Sequence, residues 1–175
     1  MSLNTYIDSG KTLVITDGEF HTWENIVFAD RVFFYNIPEG MLFRYDPQQQ
    51  EMLRYHIHEK GCSQIIYVSP QHPTWLDAGG NDASVHYLNQ SLRFNLSVLL
   101  RHQKDNVISP SIRRQMLLEL HVIDQCNLLL DYFFIRKKVE DGDLRLKGIV
   151  TQLNGDRFKS IFSNGISYND LLSLN

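Results

Sequence analysis

Residues 64–69 read Gln-Ile-Ile-Tyr-Val-Ser, four apolar side chains in succession between two polar ones. A strand with one wet face alternates apolar and polar residues, and this one does not. Both of its faces must therefore be covered, which is the habit of parallel sheets packed between helices. Parallel neighbours need long crossovers, so helices have to alternate with strands along the chain.

The rest of the sequence supplies them. Thr-Leu-Val-Ile-Thr at 12–16 is a β-branched run closed by Asp17-Gly18, a turn signal. A second strand is expected at 31–35, stopped by Asn36 and Pro38. Residues 47–60 read as a helix that Asp46 caps, Pro47 begins and Gly61 ends, with Met52, Leu53, Tyr55 and Ile57 as its apolar positions. A loop at 70–83, rich in Pro, Gly, Asn and Asp, leads into a helix at 84–102 with Val85, Leu88, Leu92, Leu96 and Leu99 on one face. Ser109-Pro110 starts another helix, with Met116, Leu117, Leu120, Ile123 and Leu128 as its stripe. A short helix at 131–140 ends at Gly142, and Asn154-Gly155 marks a hairpin between the last two strands. The expected fold class is α/β: a mainly parallel sheet flanked by helices, with an antiparallel C-terminal edge hairpin. A length of 175 residues fits a single domain over 1–175.

Charge and cysteine usage narrow the partners. A net charge of −3 gives nothing that attracts nucleic acid or an anionic membrane surface. The apolar runs are too short to span a bilayer, and no basic segment followed by an apolar one marks a secretory leader. Cys62 and Cys126 are too far apart in sequence for a zinc ribbon and read as reduced, buried thiols. A cytoplasmic protein is the expectation.

Several groupings have the letters of a site without its geometry. His56 and His58 are two apart, about 200° around an α-helix, and cannot share a metal there. The stretch 77–82, Asp-Ala-Gly-Gly-Asn-Asp, lacks the Lys-Ser/Thr of a phosphate loop. Ser69, His72 and Asp77 are too local for a hydrolase triad. The run Arg136-Lys137-Lys138 suits a helix C-terminus. The aromatics at 33–35 and 132–134 read as core or subunit interface.

The ordered set of elements resembles the β-class carbonic anhydrases over residues 12–163. In that family a first strand ends in Cys-x-Asp-x-Arg, a second near Arg-Asn, and a third in Gly-His-x-x-Cys. Here "TLVITDGEF", "DRVFFYN" and "CSQIIYVSPQHP" hold those places, and "LRLKGIV" matches the family's Leu-x-Leu-x-Gly strand. The family's two cysteines and histidine bind zinc, and its Asp-Arg dyad orients the fourth ligand. Carried over position by position, the first cysteine falls on Ile15, the histidine on Pro70 and the second cysteine on Pro73. Asp17 keeps the aspartate, Glu19 replaces the arginine, and Tyr35 replaces the arginine before Asn36, which is kept.

Isoleucine has no lone pair, and proline offers only its carbonyl. A catalytic zinc needs three protein donors. The resemblance thus implies a degenerate member with no zinc, no other cofactor and no carbon dioxide hydration. A binding or regulatory role, in a homodimer of the family's kind, is the expectation. The alternative is an enzyme rebuilt in the old pocket, with Asp17, Glu19 and His72 as acid-base groups and Ser69, Tyr35 or Asn36 beside them. A third reading retains zinc through substitute ligands such as His72 and Cys62.

Overall fold

The computed structural model describes residues 3–16, 30–37, 42, 46–70, 73, 90, 94, 109–151 and 157–167. They form strands β1 (Thr12–Thr16), β2 (Val32–Asn36), β3 (Gln64–Ser69), β4 (Arg145–Thr151), β5 (Phe158–Ser163) and β6 (Ile166–Ser167). Three α-helices are described alongside them: α1 (Pro47–Arg54), α2 (Pro110–Asp131) and α3 (Phe133–Glu140). The sheet order is β2-β1-β3-β4-β5-β6. The first four strands are mutually parallel, and β5 and β6 fold back antiparallel. The expected mixed sheet with an antiparallel edge is thus observed.

β3 lies inside the sheet and all six of its residues are buried, as its unbroken apolar run requires. Leu13, Ile15, Ile65, Tyr67, Leu146 and Val150 face α1 and α2, where they meet Leu53, Leu118, Val122 and Leu129. Val14, Val32, Ile66, Val68 and Ile149 face the other way and pack with Leu3. Each buried aliphatic side chain contributes roughly 1.5–3 kcal/mol. Gln64, the polar residue opening β3, is enclosed but satisfied. Its Oε1 accepts from Thr12 Oγ1 at 2.9 Å and Asp8 N at 3.0 Å, and its Nε2 donates to the Tyr6 carbonyl at 2.9 Å. Those bonds tie the N-terminal segment to the sheet.

The glycine of the "LRLKG" strand has a physical reason. A Cβ on Gly148 would lie 2.8 Å from Cys126 Sγ, 2.8 Å from Val122 Cγ1 and 2.9 Å from Phe162 Cβ. α2 therefore crosses β4 too closely for any larger residue.

Caps form where the sequence places them. Asp46 accepts from the amides of Gln48 at 2.8 Å and Gln49 at 3.1 Å, and Pro47 opens α1. Such a cap is worth about 1 kcal/mol. Ser109 accepts from Ile112 N at 3.4 Å, with Pro110 opening α2. Gly61 and Gly142, at φ +69° and +79°, leave their helices through the left-handed region.

Three details depart from expectation. The helix expected over 47–60 is α only to Arg54, then takes one π turn, Tyr55–Glu59. That turn rotates Tyr55 out of the stripe, leaving it 46% exposed, while Ile57 stays buried. β2 ends one residue later than expected, at Asn36. A second hairpin joins β5 to β6 through Asn164 (φ 48°) and Gly165 (φ 89°), with Ser163 paired to Ile166. Positive φ at both central residues makes this a two-residue hairpin turn, and Asn-Gly is its preferred sequence. The helix expected at 84–102 and the Asn154-Gly155 turn lie outside the described residues, apart from Gln90 and Phe94, which are helical.

Candidate functional site

In an open parallel sheet, ligands bind beyond the carboxyl ends of the strands. Here β1, β2 and β3 end side by side, with Ile15 opposite Tyr35 on one neighbour and Tyr67 on the other. Ile15 has no exposed surface and sits in the larger hydrophobic core. The position onto which the resemblance carries the family's first cysteine is a packed hydrocarbon contact.

Tyr67, next to it, is also fully enclosed. Its hydroxyl lies 3.0 Å from Nε2 of His121, a buried residue on α2, and the two rings meet edge to face at 5.9 Å. Burial holds the Asp124 carboxyl above its ordinary value, and the neighbouring His121 pulls it back down. This tyrosine–histidine pair was not singled out from the sequence. A signal was there: His121 falls in the buried stripe Leu117, Leu118, Val122, Gln125, Cys126 and Leu129 of α2, where an imidazole needs a partner.

The other candidates scatter around this point. Ser69 ends β3 with no exposed surface, opposite Val150. Tyr35 is partly buried, and burial, with Asp46 second, raises its phenol above 10.0. Burial and Asp46 act on Tyr132 in the same way. Asn36 is exposed at the end of β2, opposite Thr16. Pro70 is partly buried and Pro73 is buried. Asp17, Glu19, His72 and Asp77 lie outside the described residues. The structure thus brings Ile15, Tyr35 and Tyr67 together and encloses Ser69.

Among the described residues, the strand ends offer no donor set for a zinc of the kind the family binds. Ile15 and the two prolines offer no side-chain donor, and the nearby imidazole His121 is engaged by Tyr67. Among the described residues no three His, Cys, Asp or Glu side chains gather as a metal would need. The reading with Cys62 as a substitute ligand meets a geometric obstacle. Cys62 precedes β3 at its amino end, and the strand carries the chain about 20 Å before Pro70. Its thiol is buried and pushed up to about 11 by that burial, with Lys11 working against it. Cys126 is free and fully buried, its thiol also raised by burial.

Of the weaker groupings, the stretch 77–82 and the triad residues His72 and Asp77 lie outside the described residues. His56 Nδ1 lies 2.9 Å from the Met52 carbonyl with its ring against Phe33, whereas His58 faces Phe134. Lys137 pairs with Asp141 at 3.2 Å along α3. Phe33 packs on the core, while its neighbour Phe34 is 40% exposed.

No protein-family model matches the sequence, and no curated protein does. Solved structures do match. The β-carbonic anhydrase CafD of Aspergillus fumigatus superposes with a TM-score of 0.71 at 18% identity, covering 87% of this chain and 90% of that one. A mutant of the same enzyme gives 0.73 at 17% identity, over 93% and 97%. A tetrameric β-carbonic anhydrase of Sordaria macrospora gives 0.70 at 13% identity, over 92% and 85%. A crossover sheet of this order, matched along nearly its whole length, identifies the architecture: this chain has the β-carbonic anhydrase fold.

Proposed function

We propose that the chain is a catalytically degenerate protein on the β-carbonic anhydrase fold. It holds no zinc, hydrates no carbon dioxide, and serves in binding or regulation. The observation that carries this reading is the enclosure of Ile15 at the end of β1, with no exposed surface. Without a metal, bound water keeps a pKa near 15.7 rather than about 7 and is no nucleophile at neutral pH. Prolines at 70 and 73 suit a loop that is stiffened rather than used for coordination. The alternative rebuilt enzyme loses one of its neighbours, because Ser69 is fully enclosed.

The test pairs metal analysis of the purified protein with stopped-flow carbon dioxide hydration. Sub-stoichiometric zinc and a rate at background are expected. One zinc per chain with hydration above background would end this reading.

A homodimer belongs to the same proposal. β2 ends the sheet among the described strands and presents Phe34 at 40% exposure. The Sordaria relative is described as tetrameric. Light scattering behind size exclusion should give twice the 20.4 kDa chain mass. The buried, free thiols of Cys62 and Cys126 accord with a reducing, cytoplasmic setting.

A further inference from the structure

Away from the strand ends, a cleft of about 330 Å³ opens between α1, the last turn of α2 and the start of α3. We propose that it binds a small carboxylate carried on an aromatic or branched apolar body. The inference concerns a different place from Ile15 and assumes nothing about zinc.

The walls supply the apolar part. Leu128, Phe133 and Phe134 line the cleft, and Phe133 leaves much of its ring open to it, at 66% exposure. The cleft volume lies at the lower end of the range for small-molecule sites. Arg54, at the end of α1, supplies the anchor. Its guanidinium sits 4.4 Å from the Phe134 ring centroid, stacked and so held in place. Among the described residues it forms no ion pair, so its forked donors remain available. A guanidinium pre-ordered on an aromatic face matches a planar carboxylate with two parallel N–H bonds. Arg136 lies 5.9 Å from the Phe133 ring and adds a second positive charge nearby.

Asp131 also lines the cleft and sets the charge limit. With Asp131 in the lining, each further negative charge on a ligand adds repulsion, so the cleft favours a monoanion over a phosphate ester. Such a monoanion would face Arg54 with its body over Phe133 and Phe134. Gln50 adds an amide at the same rim for a second polar atom.

The experiment titrates 3-phenylpropionate into the intact protein by NMR and by calorimetry. Its uncharged partner 3-phenylpropan-1-ol and inorganic phosphate are titrated in parallel. Saturable binding of the carboxylate is expected, with shifts in α1, α2 and α3. The alcohol and the Arg54→Gln variant should each bind about tenfold more weakly or worse, and Arg54→Lys should fall between. Arg54 is on the surface, so circular dichroism and a thermal melt confirm that the variants fold. No saturation below about 10 mM would overturn the proposal. So would equal binding of the alcohol, tighter binding of phosphate, or an Arg54→Gln variant that binds like the parent.

Discussion

The end of β1 and the cleft beside Arg54 are opposite solutions to the same question of what a protein does with space. At the ends of β1 and β3 the described side chains are packed: Ile15 is enclosed and the Tyr67 hydroxyl lies 3.0 Å from His121 Nε2. At the cleft, space is left open and a guanidinium stands over an aromatic ring with no ionic partner among the described residues. A fold proposes positions, but a site exists only where donors and room remain after packing. The filled region should therefore answer mutation with stability, and the open one with binding.

Ile15→Ala should give the largest response. The side chain has no exposed surface and lies between Tyr35 and Tyr67 in the register. Truncating it removes buried methyl groups and leaves a cavity, at a cost of about 2–5 kcal/mol. Urea unfolding followed by circular dichroism measures this. A cost under about 0.5 kcal/mol would mean that the position is loosely packed, and the contrast with the cleft would fail.

Tyr67→Phe should cost less, about 1–3 kcal/mol, because it leaves the buried Nε2 of His121 without this hydroxyl. A double-mutant cycle with His121→Leu sharpens the point. If the pair acts as a unit, the double variant loses less than the sum of the singles, with a coupling of about 0.5–3 kcal/mol. Strict additivity would show that the 3.0 Å contact contributes little to stability.

How far was this contrast legible beforehand? The filled side largely was. The unbroken apolar run Ile65–Val68 reads as an interior strand, and Asp46-Pro47 and Ser109-Pro110 carry their cap chemistry in the sequence itself. Ile15 was found by matching positions, because absent lone pairs are visible in a residue's identity. The Asn164-Gly165 hairpin is written in the same two letters as Asn154-Gly155, without a long strand after it to mark it as a turn. The π turn at Tyr55–Glu59 has no local marker, since its cause is how the helix end packs. The open side was not legible. Arg54 and Phe134 are eighty positions apart in sequence, and no periodicity says that a guanidinium will settle 4.4 Å from that ring.

The enclosed thiols give a pH signature of intermediate size. Folded Cys62 holds its proton to about 11, against 9.0 for a free thiol. Below 9 both states are neutral and the difference contributes nothing adverse. Between 9 and 11 only the unfolded chain gains by ionising, so folding stability declines across that window. Cys126 and the raised phenols of Tyr35 and Tyr132 act in the same direction. Comparing the parent with Cys62→Ala isolates one contribution: the parent should lose more of its urea midpoint between pH 8 and pH 10.5. A loss no greater than the variant's would place Cys62 in contact with water.

Phe133→Ser should move stability least, by no more than about 1 kcal/mol, and this small number is the sharper test of the comparison. The ring is 66% exposed, so its removal returns little apolar surface to water and leaves no closed cavity. It also removes a face on which Arg136 rests at 5.9 Å, an exposed contact worth about 0.5–1 kcal/mol at most. If Phe133 serves folding, its loss will appear in the urea midpoint, and the cleft becomes one more part of the core. If the midpoint holds while 3-phenylpropionate binding falls, the side chain is retained for something other than stability. That separation cannot be obtained at Ile15, where any change in function would be buried beneath the cost of the cavity.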